Sequence, residues 1–104
     1  VKAFSRTPLG RRHGRCYELA SRYVLQHEDA VLVHGTVAKG FEPGRMNHAW
    51  CELDDGATVY DPTIECLGDT QEYAQRHEAL PLQRLDQKAM ARRICDEGHW
   101  GPWD

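Results

Sequence analysis

Three residue types that together can open an acyl bond occur along the chain in the order Cys16, His48, Asp61. A thiol becomes a strong nucleophile when ionised, an imidazole takes and returns its proton, and a carboxylate holds that imidazole in the useful tautomer. Cys16 follows the breakers Pro8, Gly10 and Gly14 and opens an apolar repeat, with Leu19, Ala20, Tyr23 and Val24 at the spacing of one helical face. The pattern predicts a helix over about 15–27 with Cys16 in its first turn. Unpaired N–H groups and the positive end of the macrodipole at such a terminus favour thiolate over thiol, and they can bind the oxyanion formed at an attacked carbonyl.

The other two residues depend on strands. Ala30 to Val37 (AVLVHGTV) is short and rich in β-branched residues, which reads as a buried strand, and Lys39 to Arg45 reads as a loop. Asn47 to Leu53 and Ala57 to Asp61 flank Asp54-Asp55-Gly56, residue types that tolerate the positive φ of a hairpin turn. A two-residue turn pairs Leu53 with Gly56 and His48 with Asp61, and other turn lengths move the register by one or two positions. The ring and the carboxylate are then direct or diagonal cross-strand neighbours. Pro62 ends the second strand, and helices are predicted over Thr70 to His77 and Asp86 to Glu97, the latter with Asp86 as N-cap and Gly98 as its stop. Trp100 and Trp103 in the final HWGPWD are expected to dock on the body.

The three segments GRCYELA, NHAWCEL and ATVYDPT, in the order Cys, His, Asp, resemble the papain-like superfamily of cysteine enzymes, its transglutaminase-like members and compact bacterial or phage relatives above all. The resemblance spans about residues 10–64. It implies Cys16 as nucleophile, His48 as base and Asp61 as the orienting acid, with the nucleophile helix packed on a small antiparallel sheet. The glutamine that the papain branch carries before its cysteine is missing, because no glutamine precedes Cys16. His13, Arg12, Arg15 or a backbone amide is left to serve as oxyanion donor. His13, Arg15 and Trp50 are the expected substrate-binding residues, although Trp50 also fits a core position.

The expected fold is therefore α+β and papain-like, one domain over 1–104, with additional C-terminal helices. The expected function is a cysteine hydrolase or acyltransferase that attacks an amide or ester carbonyl through a thioester, on a peptide, protein or small-molecule substrate. The alternative is a catalytically inactive scaffold of the same fold that binds protein. No cofactor is expected. Cys51 and Cys66 with His34 or His48 provide zinc-type donors, but His48 and Cys51 fall on opposite faces of a regular strand, which argues against shared ligation. The four cysteines also permit two disulfides by count, a pairing disfavoured in a chain without a visible secretory signal. His34 reads as a satisfied core histidine, and His77 and His99 as surface or tail residues.

Composition narrows the partners. A hydrophobic fraction of 40%, a charged fraction of 28% and a net charge of −3 describe an ordinary globular chain and argue against nucleic acid as a partner. Arg6, Arg11, Arg12, His13 and Arg15 make only the N-terminal segment basic. No apolar run approaches a membrane-spanning length, so a cytoplasmic protein without a membrane partner is expected.

Overall fold

A computed structural model describes residues 15–39 and 44–103. Helix α1 (Cys16–Gln26) leads into β1 (Val31–Val37) and β2 (Met46–Leu53), then β3 (Thr58–Asp61) and β4 (Cys66–Asp69), α2 (Thr70–His77), β5 (Leu80–Leu85) and α3 (Gln87–Glu97). The strands form one antiparallel sheet in the order β4-β3-β2-β1-β5. The architecture is α+β, as the sequence predicts. His13, Arg12 and the other basic residues before Arg15 lie outside the described residues.

Alternation along the strands divides the interior in two. One face, with Leu32, Ala49, Cys51 and Tyr60, packs against Leu19, Ala20, Tyr23 and Val24 of α1 and Met90 of α3. The opposite face carries Val33, Val37, Trp50 and Val59 and is covered by Tyr73 and Ala74 of α2. Each helix thus buries the stripe its sequence periodicity marks. Asp86 caps α3 by accepting from the Ala89 amide at 2.8 Å, and Gly98 closes it at φ 77°, a left-handed conformation that costs glycine little.

Two strands escape the sequence reading. β4 and β5 are both sheet edges, and their sequences CLGD and LPLQRL carry a glycine and a proline that weaken a strand pattern. Pro81 is tolerated because an edge strand leaves one row of N–H groups without a ladder partner. β5 is tied to the sheet centre by Arg84, whose guanidinium grips the buried Glu52 carboxylate with two hydrogen bonds of 2.8 and 3.1 Å. The β1–β5 register shifts between His34 and Gly35. Gly35 has no side chain for a reason: a Cβ there would strike the Leu80 carbonyl and stand 2.8 Å from Cη2 of Trp50.

The hairpin turn is longer than the two-residue loop expected. Asp54, Asp55 and Gly56 take positive φ values of 53°, 55° and 92°, and the Ala57 amide donates back to the Asp54 carbonyl at 3.1 Å. Leu53 consequently pairs with Thr58 and Cys51 with Tyr60. This register is displaced by two residues, which leaves every side chain on its expected face.

The C-terminal segment docks as expected. Trp103 is buried, its ring lies on His34 at 4.8 Å and its indole N–H donates to the His99 carbonyl at 3.0 Å, while Arg22 sits 5.1 Å above Trp100. Trp103→Ala is expected to cost about 3 kcal/mol and to lower the melting temperature by more than ~10 °C, and truncation after Gly98 to cost at least as much. Unchanged thermal unfolding of both variants would contradict the docking. Gly35→Ala, which overpacks the β1–β5 seam, is expected to lose roughly 1–3 kcal/mol or more in urea unfolding.

Candidate active site

Asp61 ends β3 with its carboxylate fully buried, and three donors from three parts of the chain converge on it. Its Oδ1 accepts the Thr63 amide at 3.0 Å, which caps the turn begun by Pro62. Its Oδ2 accepts His48 Nε2 at 2.8 Å and the Tyr73 hydroxyl at 2.6 Å. The local turn role and the role of imidazole partner, which the sequence presents as alternatives, are therefore both filled, one by each oxygen.

His48 stands near the start of β2, before the first residue of that strand to pair with β3, Cys51. Continuing the register places Asp61 opposite Trp50, one diagonal step from His48 on the same face, so the Asp–His contact forms by the diagonal geometry. The β2–β3 ladder stops short of His48, which leaves the β3 side of the strand open beside the ring, and the N-terminus of α1 reaches it from the other face. The Cys16 thiol hydrogen-bonds the imidazole there. With Nε2 engaged by Asp61, Nδ1 is the nitrogen left for the sulfur.

Accessibility rises along this chain of contacts. Asp61 is 0% exposed, His48 2% and Cys16 7%, so what opening the site has to solvent lies at the sulfur end. Burial pushes the His48 imidazole toward its neutral form, but hydrogen bonds to Asp61 and Cys16 and their negative charge outweigh it and raise its pKa to about 9. Burial and the Asp61 charge both push the Tyr73 hydroxyl well above its ordinary value, so it stays a neutral donor.

At the head of α1, Arg15 stands in the N-cap position but makes no side-chain cap bond. Its guanidinium turns instead to Glu18, at 3.1 and 3.0 Å, and Glu18 also accepts from Arg22 at 2.8 Å. The Arg15 charge is thus paired within the helix, and the backbone amides of the first turn receive no side-chain cap from it. Of the two places expected for Trp50, the structure gives the core position. It is buried behind the site, with His48 at 6.1 Å and Tyr73 at 5.6 Å, and its bulk packs between the two instead of lining a substrate wall. His77, expected at the surface or in the tail, is buried and donates its Nδ1–H to the Lys39 carbonyl at 2.8 Å. Tyr73 is the site residue that sequence reasoning misses, since a single tyrosine on a predicted helix gives no sign of what it faces.

All four cysteines are free thiols. Cys51 is buried on the opposite face, donates to the Ala20 carbonyl at 3.4 Å, and is held well above its ordinary pKa by burial and by the charge of Asp61. Among the described residues no group of three His, Cys, Asp or Glu side chains is placed to hold a metal ion, and no helix is long and apolar enough to cross a membrane.

The raised imidazole pKa has a signed consequence for stability. A group that binds its proton more tightly when folded contributes fully below its unfolded pKa of about 6.5 and loses that contribution as pH rises through about 9. Wild type should exceed His48→Gln in urea stability by an amount on the order of 3 kcal/mol near pH 6, a margin that shrinks as pH rises from about 6.5 and is gone above about pH 9. A difference independent of pH would contradict the assignment. Tyr73→Phe, which removes a hydrogen bond to a buried carboxylate, is expected to cost about 1.5–3 kcal/mol in the same assay. No protein-family model, curated protein or solved structure matches the chain, so its chemistry has to be argued from the geometry of Cys16, His48 and Asp61.

Proposed function

We propose that the chain is a cysteine hydrolase or acyltransferase of the papain-like or transglutaminase-like kind, with Cys16, His48 and Asp61 as its triad. The observation that carries this reading is the unbroken hydrogen-bonded line from a buried carboxylate through an imidazole to a thiol at a helix N-terminus. A structural histidine needs one partner on each side, but nothing in packing requires those partners to be a carboxylate and a helix-terminal cysteine.

In the proposed reaction the Cys16 thiolate attacks the carbonyl carbon of an amide or ester, and the C=O electron pair moves to oxygen. The Cys16 amide and its neighbours in the first turn of α1 donate to that oxyanion, the task for which no glutamine is present. His48, protonated on both nitrogens, passes its Nδ1 proton to the leaving amine or alkoxide as the C–N or C–O bond breaks and the thioester forms. Water or an amine then gives a proton back to His48 while it attacks the thioester and releases Cys16. Asp61 holds the ring through Nε2 and stabilises the imidazolium, and Tyr73 and Thr63 hold Asp61.

A second reading is favoured by one observation: Cys16 is only 7% exposed. A scaffold that binds protein without turnover would tolerate that burial better than an enzyme.

Cys16 should be alkylated by iodoacetamide at mildly acidic pH faster than Cys51, Cys66 or Cys95, as read by peptide mass spectrometry. His48→Ala should slow that alkylation and lower turnover of an acyl substrate by about 10²–10⁴-fold, and Asp61→Asn should slow the alkylation less. An acyl adduct on Cys16 in the intact mass, absent from Cys16→Ala, is the direct result expected. Equal labelling of all four thiols, with no effect of His48→Ala, would leave the scaffold reading standing.

A further inference from the structure

A cavity of about 250 Å³ lies beside the candidate site, on the α1 face of the sheet. Three of the residues around it flank or pair with site residues: Tyr17 follows Cys16, Asn47 precedes His48, and Gly35 is the ladder partner of His48. Its size suits one side chain better than a cofactor, since pockets for whole small molecules usually run from about 300 Å³ upward.

The wall is aromatic. His34 lies edge-on to Tyr17 at 4.7 Å and stacks on Trp103 at 4.8 Å. His34 itself is 7% exposed and its Nε2 has no hydrogen-bond partner among the described residues, so these do not make it a satisfied core histidine. A buried polar atom without a partner is costly, and the protein keeps one where the ring borders an open cavity. Burial and the nearby Arg93 charge press the imidazole toward its neutral form, with a pKa of about 4, and Arg93 stands 5.7 Å from Trp103. Among the described residues no carboxylate lines the cavity.

The rim adds an independent feature. The register shift at His34/Gly35 leaves Leu82 between the paired residues Pro81 and Gln83 without a partner of its own on β1, 75% exposed and at the cavity's edge. Bulges re-aim side chains in this way beside binding sites. Asn47 and Gln83 place amide groups, each both donor and acceptor, around the same opening.

We infer that this cavity is the substrate-recognition pocket of the Cys16 site and that it takes a neutral aromatic side chain with a polar edge, the phenol of a tyrosine in a peptide substrate. The ring packs on Trp103, His34 and Leu82, and the hydroxyl bonds to the polar groups of His34, Asn47 or Gln83. The inference rests on the proposed acyl chemistry for its purpose, but binding and chemistry are read separately.

Binding is read on the Cys16→Ala protein by the NMR shift of the Trp103 indole N–H during titration with N-acetyl-tyrosinamide. Saturable shifts are expected, with N-acetyl-phenylalaninamide about tenfold weaker and N-acetyl-lysinamide without effect, and with a loss of about tenfold or more in Leu82→Asp and His34→Phe. Leu82 is exposed, so its variant tests the pocket even if the buried His34 change impairs folding. An unmoved Trp103 signal, or tyrosinamide affinity unchanged in Leu82→Asp, overturns the pocket. Chemistry is read on the wild-type protein as an acyl adduct from N-acetyl-tyrosine methyl ester. Binding without an adduct overturns the acyl-transfer reading and leaves the pocket, and an adduct without a Trp103 shift does the reverse.

Discussion

The carboxylate of Asp61 is the group on which the rest of the site depends. A fully buried charge is tolerable only when its lone pairs are met, and here the donors come from a turn, a strand and a helix: Thr63, His48 and Tyr73. β2 must lie beside β3 for His48 to reach Oδ2, and α2 must cover the sheet for Tyr73 to do so. The same carboxylate therefore couples the hairpin, the Pro62 turn and the docking of α2. Weakening any one of these leaves a buried acceptor short of a donor.

Opposed tendencies decide the charge state beside it. Burial of His48 favours the neutral ring, yet two hydrogen bonds and two negative partners leave the imidazole with a pKa near 9. That balance needs the ring held between Asp61 and Cys16, and Trp50 stacks beside it, itself backed by Tyr73. Trp50 can sit so close to β1 because Gly35 presents no side chain. A glycine on one strand, a tryptophan on the next and a tyrosine from a helix thus act together on a ring that only one of them touches by hydrogen-bond chemistry, and then only through Asp61.

The two faces of the sheet meet at this place. Helix α1 packs on one face and His48 projects from the other, and contact is made because the β2–β3 ladder ends short of His48. The head of α1 is also where Tyr17 and the Trp103 segment enclose the cavity next to His34. Cys16, His48 and the cavity are in this way gathered at one end of a short sheet, although they come from residues spread over most of the chain.

What the sequence by itself determined is what neighbouring residues can encode. The apolar spacing from Cys16 to Val24 marks α1, Asp86 and Gly98 bracket α3, and Asp54-Asp55-Gly56 marks a turn whose parity keeps His48 and Asp61 on one face. Those signals act within a few residues, through periodicity, capping and permitted φ values. Tertiary structure alone decided the four-residue turn and its register, the edge strands β4 and β5, the burial of Trp50, the Arg15–Glu18 pairing and the place of Tyr73. Most of these rest on contacts between residues far apart in sequence, where short edge segments and single polar side chains carry no period of their own; a buried carboxylate finds its donors only when the layers close around it.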